Sequence, residues 1–482
     1  MTFKKLMLAS VMAAAFGGLY GCTEGDKTSV LIEGDTTTNN GGSGSDSGGT
    51  TTVSENCPDW ASAKNKDASG NDVCALPSTI MEDRTLTRDI VWYLQDRVTV
   101  GNGNGEMSAT EGELANGGAV QNVTLTIESG TQIKGKKGTF ANLLITRGSK
   151  ITAVGTAAAP IVFSSDDDDY TGSGEWGGLI IGGYGRHNEC DDAATACNVD
   201  GEGESGFAGG YSADDNSGSL EYVIVTEGGY EFAPGDEING ISLVAVGSGT
   251  TMDHVQVNAN SDDGIEFFGG AIHAKHLVLT GNLDDSLDWD EGFQGNIQYV
   301  IVKQSADTFG TTIEADTFGT DAFLSKPVVA NATFIGGAGA SDPNFIHNMK
   351  EGTGGFIVNS ILSVDSSSTT DPACIRVSDD AKANISAQTL VYHNVILDCS
   401  YDSTLGFDSS SLFMVSADLN ASYASGAAEA QLSSPIDWTA FNGTYPESTA
   451  DASFLDATDY IGAVDPNASS AWYSGWILDG SL

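Results

Sequence analysis

Short apolar runs separated by Gly, Asn and Asp residues follow one another from Thr79 towards the C-terminal region. The runs are only a few residues long, are rich in Val, Ile and Leu, and alternate apolar with polar positions. Such alternation is typical of β-strands bounded by turns. No stretch before the C-terminal region repeats apolar residues at the helical period. The pattern therefore predicts an all-β chain.

One strand pattern recurs, with an Asn, His or Tyr residue set among apolar positions. It is found in the segments LEYVIV (220–225), MDHVQV (252–257), AKHLVL (274–279), IQYVIV (297–302), ANATFIG (330–336), FIVNSIL (356–362) and VYHNVIL (391–397). Steps of roughly 22 to 34 residues match one coil of a parallel β-solenoid with loops of variable length. A β-sandwich would also give many short strands, but it does not repeat one position coil by coil.

The repeat predicts a parallel β-helix over residues 78–400, with long loops emerging from one edge. The longest of these loops covers residues 186–219. Residues 401–482 do not continue the repeat, and we expect them to form an irregular C-terminal cap.

Two acidic pairs, Asp262-Asp263 and Asp284-Asp285, lie 22 residues apart, which is the length of one coil. Neighbouring strands lie ~4.8 Å apart, and two ionised carboxylates at that distance repel by ~3.5 kcal/mol for an effective dielectric constant near 20. Oxygen ligands without imidazole or thiolate favour Ca²⁺. The predicted calcium ligands are Asp262, Asp263, Glu266, Asp284, Asp285, Asp288 and Asp290, and further acidic and amide groups lie at Asp236, Glu237 and Asn239. The alternative is that these acids point outward as turn residues.

The charge of the chain is strongly negative, with 66 acidic against 20 basic residues and a formal net charge of −46. Such a surface repels nucleic acid and anionic lipid headgroups, so both are excluded as partners of the folded domain. It also argues against polyanionic substrates unless divalent ions bridge them. For most of these acids a solvated, salt-adapted surface is the simplest explanation.

The N-terminus resembles a bacterial lipoprotein signal peptide. Residues 1–21 contain a basic start, a short apolar stretch and a small-residue cleavage site, directly before Cys22. The resemblance implies that Cys22 is lipidated and that the mature protein is sorted to the outer membrane. It would be exposed at the cell surface, with the periplasmic face as the alternative. Residues 22–77, rich in Gly, Ser and Thr, are predicted to form the tether.

Six cysteines remain after Cys22, and their local spacing predicts three disulfides. The predicted pairs are Cys57–Cys74, Cys190–Cys197 and Cys374–Cys399. A zinc site is the alternative, but neither a CxxC motif nor paired histidines accompany these cysteines.

Several segments are distinctive as a set: ESGTQIKG, ITAVGTAAAPIVFSS, EWGGLIIGG, GDEINGISLVAVGSGTTMDHVQV, DDGIEFFGG, DDSLDWDEGFQG and DYIGAVDP with WYSGWIL. With these motifs the chain resembles secreted β-helix proteins of marine Gram-negative bacteria and Bacteroidetes, often lipoproteins, of the pectin-lyase-like fold. The resemblance covers roughly residues 78–482 and implies a right-handed parallel β-helix. It implies little about activity, because this fold carries lyases, hydrolases, adhesins and scaffolds.

Two functions remain open at this stage. The first is a calcium-stabilised surface module that binds a glycan or a surface protein, with no catalysis. The alternative is a polysaccharide-active enzyme that uses the acidic residues, although the acidic centre lacks the arginine that a polyuronate lyase needs. His347, Lys350 and Glu351 form a candidate acid–base group in a loop. Candidate aromatic residues for stacking on sugars are Trp176, Tyr184, Phe207, Tyr211, Tyr230, Phe267, Phe268 and Trp289.

Overall fold

The structure of the protein is a computed structural model. It describes residues 52–167, 169–190, 196–201, 203–234, 237–305, 310–318, 323–337, 345–365, 372–399, 413–414 and 430–482. The predicted signal peptide, the lipidation site Cys22, most of the tether and Asp236 lie outside these residues.

The regular elements of the described chain are short strands and two short helices. The first fifteen strands are β1 (Ser62–Ala63), β2 (Asp72–Ala75), β3 (Thr79–Ile80), β4 (Arg84–Leu86), β5 (Ile90–Leu94), β6 (Val98–Val100), β7 (Thr124–Ile127), β8 (Gln132–Gly135), β9 (Leu143–Ile145), β10 (Lys150–Val154), β11 (Ile161–Ser165), β12 (Leu179–Gly182), β13 (Val199–Asp200), β14 (Phe207–Ala208) and β15 (Gly218–Thr226). The elements that follow are β16 (Ile241–Val244), β17 (Thr251–Asn258), β18 (Ile265–Phe268), β19 (His273–Thr280), β20 (Leu287–Asp290), β21 (Asn296–Lys303), β22 (Ile313–Ala315), β23 (Val328–Gly336), β24 (Phe345–Met349), β25 (Gly355–Val364), β26 (Ala373–Val377), α1 (Lys382–Ala387), β27 (Leu390–Asp398), β28 (Phe413–Met414), β29 (Ala430–Gln431), α2 (Trp438–Thr444) and β30 (Tyr460–Ile461).

Two parallel sheets form the right-handed β-helix that the sequence predicts. The large sheet contains sixteen of the described strands and runs from β1 to β28, and the small sheet contains ten, from β3 to β26. From β15 onward each coil contributes one strand to the small sheet and one longer strand to the large sheet, whereas each of the three preceding coils contributes two short strands to the large sheet: β4 and β5, β7 and β8, and β10 and β11. The side chains that point inward from both sheets form one continuous apolar core, which includes Trp92, Phe163, Phe267 and Phe334.

The recurring Asn, His or Tyr residue of the strand pattern marks a bend in the large sheet. All seven residues of this bend row have positive φ angles between 49° and 64°: Tyr222, His254, His276, Tyr299, Asn331, Asn359 and Asn394. Residues on either side pair with the neighbouring strand, while the bend residues do not. Asn and His tolerate positive φ better than most residues, which explains part of the pattern.

The N-terminal end of the β-helix differs from the prediction, because residues 53–77 are folded and do not belong to a tether. Strand β2 pairs in parallel with β5 and adds to the large sheet, and the Cys57–Cys74 disulfide holds this segment together. Trp60 stacks on Trp92 at 5.2 Å. The strands are only two and four residues long and polar in part, so no alternating pattern revealed them.

In the predicted C-terminal cap, the described residues 430–482 lie along the outer flank of the large sheet. Gln298 pairs with the backbone of Asp456, donating to its carbonyl (3.0 Å) and accepting from its amide (2.8 Å). Gln256 accepts from the amide of Leu478. The side chains of α2 pack on outward-facing apolar residues such as Phe356. We call residues 430–482 the flank segment.

The other two predicted disulfides, Cys190–Cys197 and Cys374–Cys399, are also present. They fasten the longest loop and the last described coils, respectively. No helix among the described residues has the length and apolar character required to cross a membrane.

Candidate functional site

The candidate site lies on the small sheet, where one position of each coil points outward. Along this position the register pairs Glu266 with Asp288, Asp288 with Glu314, Glu314 with Asn348 and Asn348 with Arg376. We call these five residues the outward row. Each follows an inward-pointing apolar residue or His347, so strand alternation alone puts them on one face. The row begins with three acids and ends with a base.

Six of the seven predicted calcium ligands meet beside this row. One oxygen each from Asp263, Glu266 and Asp288 lies within 4.8 Å of the other two, and we call these residues the inner set. Asp285, Asp288 and Glu314 form a second group of the same size, the outer set, which shares Asp288.

The remaining predicted ligands lie at the edge of these sets or apart from them. Asp262 and Asp284 approach Asp263 and form the rim of the site. Asp290 does not join either set. Its Oδ1 accepts hydrogen bonds from the amides of Glu291 and Phe318, so its carboxylate closes a turn.

Turn geometry brings the acids of successive coils together. Asp263 Oδ1 accepts a hydrogen bond from the amide of Asp285 at 2.8 Å. Asp285 Oδ1 in turn accepts from the amide of Thr311 and from its hydroxyl, the latter at 2.7 Å. Each carboxylate therefore caps the turn of the next coil and leaves its second oxygen for another partner.

The acids of both sets are largely removed from water. Asp263, Glu266, Asp285 and Asp288 are all less than 9% exposed. Burial, together with the neighbouring carboxylates, raises the pKa of Asp263, Asp285 and Asp288 well above the usual range. At the rim, burial followed by Glu237 and Asp284 raises the pKa of Asp262 to about 7. Such a group of acids holds either protons or a cation.

The donor set fits a calcium ion. All ligand atoms in the inner set are carboxylate oxygens, without a histidine or cysteine, and Ca²⁺ accepts six to eight oxygens in flexible geometry. Asp263, Asp285 and Asp288 form no ion pair with a described lysine or arginine. Asp288 Oδ1 is buried and has no hydrogen-bond partner in the described structure. A buried carboxylate oxygen without a partner is a position that a cation, a proton or an ordered water would occupy.

Two basic residues, Lys350 and Arg376, lie at the end of the outward row. Sequence analysis did not connect them with the acids. Lys350 forms an ion pair with Glu314 Oε2 and lies 4.0 Å from Asp316. Asn348 donates to Glu314 Oε1 at 2.7 Å and accepts from Arg376 at 3.3 Å. Glu314 could have been identified from a repeat in the sequence. An apolar residue followed by an acid occurs in three successive coils, as Ile265-Glu266, Leu287-Asp288 and Ile313-Glu314.

The histidine predicted to act with Lys350 and Glu351 is not available for chemistry. His347 lies in β24, not in a loop, and its side chain is fully buried inside the β-helix. Its Nδ1 lies 2.9 Å from the hydroxyl of Tyr392. Burial lowers the pKa of His347 to about 3, so the ring stays neutral.

Most candidate aromatic residues are buried as well. Trp176, Phe267 and Trp289 lie in the core, and Phe268 is covered by residues of the longest loop. Tyr184 is also buried, whereas Phe207, Tyr211 and Tyr230 are half-buried. Near the outward row, the large exposed aromatic residue is Phe318, at 45% exposure. An extended aromatic platform for neutral sugars is therefore not found among the described residues.

Histidines of the bend row form a second cluster of metal-ligating residues. Nδ1 of His254 and Nδ1 of His276 lie 2.9 and 2.7 Å from Asp253 Oδ1. The two rings stack at 4.2 Å with an angle of 26° between their planes. A metal must lie close to the plane of each imidazole that binds it, and stacked rings do not allow this. The cluster is a structural group of contacts beneath Trp472 and Trp476 of the flank segment.

A further acidic cluster, which sequence analysis missed, already contains a cation. Lys137 Nζ lies 2.6 Å from both Asp167 and Glu175. Glu227, the third acid, is fully buried and accepts from the amides of Ser165 and Gly172. Burial, followed by the charge of Asp167, raises the pKa of Glu227 to about 7.

Replacing Glu227 with Gln is expected to change the pH dependence of stability. A glutamate in the unfolded chain ionises near pH 4.3, so the raised pKa of Glu227 favours the folded state below pH ~4.5 and this contribution disappears as the pH rises to about 7. The free energy of unfolding of the wild type should fall relative to Glu227→Gln by roughly 2 kcal/mol across this range. Urea unfolding from pH 4.5 to 7.5 measures it. Glu113→Gln, at an exposed position, is the control. If the free energy of unfolding of Glu227→Gln depends on pH in the same way as that of the wild type, the raised pKa does not belong to Glu227.

Comparison with known proteins identifies the family. The family model described as a pectate-lyase-like beta helix domain matches residues 111–443. Searches of curated proteins and of solved structures found no match. The matched region contains the outward row, both carboxylate sets and the rim. Because the match covers more than half of the chain, the protein belongs to the pectate-lyase-like β-helix family.

Proposed function

We propose that this protein is a calcium-binding β-helix that binds acidic polysaccharide on the outer face of its small sheet. A lipid on Cys22 would hold it at the outer membrane, facing the cell exterior. The observation that carries the proposal is the outward row, in which buried acids are followed, in register, by Asn348 and Arg376, with Lys350 beside them.

The charge of the protein makes calcium necessary for such a ligand. With a net charge of −46, the surface repels a polyanion at long range. A divalent cation on the inner set would bridge protein and sugar carboxylates, since Ca²⁺ completes its coordination with several oxygens. Arg376, which is exposed, and Lys350 would pair with a second sugar carboxylate.

The scarcity of exposed aromatic residues supports an acidic ligand over a neutral one. Neutral sugars bind largely through apolar contact with aromatic faces, and Phe318 is the exposed large aromatic residue beside the row. Carboxylated sugars are recognised through cations and hydrogen bonds, which the row offers.

A second candidate function is a calcium-dependent lyase that cleaves the bound polyuronate. The observation in its favour is that Lys350 and Arg376 lie in the coils directly after the acids, where a general base could take a proton from a sugar whose carboxylate is neutralised by calcium. The ion pair with Glu314 holds the pKa of Lys350 above its ordinary range. This disfavours Lys350 as the base, so binding without cleavage remains the first proposal.

Calorimetric titration of the protein with oligogalacturonate and oligomannuronate, with and without Ca²⁺, tests the proposal. We expect heat of binding with Ca²⁺ and none after chelation, and we expect Asp288→Asn to abolish it. Neutral oligosaccharides such as cellohexaose are the controls. Binding that is equally strong without calcium, or absent with both acidic oligomers, would refute acidic-glycan recognition. Ultraviolet absorbance of unsaturated uronate in the same samples distinguishes a lyase from a binder.

A further inference from the structure

The two carboxylate sets share one residue, and their surroundings differ. Asp288 belongs to both, and the inner set is completed by Asp263 and Glu266, which are buried. The outer set includes Glu314, whose side chain is 21% exposed and carries the ion pair with Lys350. The inner set is therefore the buried end of the site, and the outer set is the more open end, where Lys350 contacts Glu314.

The charges of the two sets point to two divalent ions. Five carboxylates, when ionised, carry five negative charges, of which Lys350 neutralises one. Two divalent cations would neutralise the remaining four. With one cation, two charges would remain on acids whose buried oxygens lie within 4.8 Å of one another, which is unfavourable in a medium of low dielectric constant.

Asp288 supplies the atom that such a pair of ions requires. Its Oδ1 is buried without a hydrogen-bond partner, and carboxylates commonly bridge neighbouring metal ions through their two oxygens. In the outer set, Asp285 Oδ1 already accepts two hydrogen bonds from Thr311. Its second oxygen is the one available to a cation.

We infer that the site binds two calcium ions bridged by Asp288. In the outer set, the ammonium group of Lys350 competes with the second ion for the carboxylate of Glu314. This inference rests on the proposed calcium site. The inner ion binds first because Asp263 forms no ion pair with a described lysine, whereas Lys350 is paired with Glu314 of the outer set. The outer ion binds more weakly, because it must share Glu314 with Lys350. Its binding loosens that ion pair and frees the ammonium group of Lys350 for a ligand carboxylate.

Calcium titration of wild type and two variants tests the inference. In Lys350→Met the second calcium should bind about tenfold more tightly, because a positive charge within a few ångströms of a divalent ion is removed. In Glu314→Gln the second site should be lost and the first retained. Lys150→Met, which removes an exposed lysine of the large sheet that donates to Asn216, is the matched control and should bind like wild type.

The readouts are calorimetry with Ca²⁺ and luminescence of Tb³⁺ excited through protein aromatic groups. Wild type should show two binding events of unequal affinity. A single event in all variants, or equal affinities in Lys350→Met and wild type, would overturn the two-ion inference and leave the calcium proposal standing. No binding to any variant or to wild type would overturn both.

Discussion

Replacing Arg147 with Met is expected to destabilise the protein by about 3 to 5 kcal/mol, because it removes a buried charge on which two loops depend. Arg147 is completely buried, and its guanidinium donates six hydrogen bonds of 2.7 to 2.9 Å. The acceptors are the carbonyls of Gly103, Gly105, Cys197, Ala208 and Gly209 and the side chain of Asn198. Each acceptor that loses its donor without gaining water costs roughly 1 to 3 kcal/mol.

Lysine cannot replace Arg147. Burial lowers the pKa of Arg147 to about 10, so the guanidinium remains charged at neutral pH. Its planar fork matches acceptors on both sides, whereas an ammonium group offers three donors from one point. Arg147→Lys should therefore lose most of the same stability. The exposed Arg88→Lys is the matched control and should change the free energy of unfolding by less than about 0.5 kcal/mol.

Urea unfolding measures this effect, and hydrogen exchange locates it. Faster exchange is expected in the loop around Gly103 and in the described part of the longest loop around Ala208, while the small sheet keeps its protection. If the free energy of unfolding of Arg147→Met lies within about 1 kcal/mol of the wild-type value, the hydrogen bonds that Arg147 donates do not organise these loops.

Removing calcium is the second change for which a large effect is expected. A ligand that binds only the folded state at a thousandfold excess over its dissociation constant adds about 4 kcal/mol. Chelation should lower the melting temperature by several degrees, and added Ca²⁺ should restore it in a concentration-dependent way. The physical reason is the repulsion among the inner-set carboxylates, which a cation converts into attraction.

A single amide substitution separates calcium binding from a general salt effect. Asp263→Asn keeps an Oδ1 acceptor for the amide of Asp285 but removes one negative charge. The variant should respond less to Ca²⁺ than wild type and be slightly more stable in its metal-free form. Equal stabilisation of wild type by NaCl at matched ionic strength would contradict a specific site.

The sequence was sufficient to predict the β-helix because the strand pattern and the coil structure share one cause. A residue at each bend must adopt positive φ, and the apolar residues on both sides must face the core, so Asn, His or Tyr recurs at His254, His276 and Asn331. The local disulfides could be predicted from spacing for a similar reason. The positions of the two terminal segments on the β-helix could not be predicted from the sequence, because their contacts are made by single carboxamides and short strands without any periodicity.

The candidate site could be predicted only in part. Stacking of coils brings acids 22 residues apart together, which is why Asp263 and Asp285 were identified as neighbours. Glu314 was missed, and Lys350 was not connected with the acids, because loops of variable length change the spacing to 26 and then 34 residues between paired positions. Asp290 is still only a predicted ligand. Neither set includes it, and its Oδ1 accepts hydrogen bonds from the amides of Glu291 and Phe318.

The most direct measurement is a crystal structure of the protein grown with Ca²⁺, with anomalous scattering used to locate the ion. The account predicts an anomalous peak 2.3 to 2.6 Å, the usual Ca²⁺–oxygen distance, from carboxylate oxygens of Asp263, Glu266 and Asp288. A structure at saturating Ca²⁺ in which these three side chains contact only water or one another, with no anomalous peak between them, would contradict it.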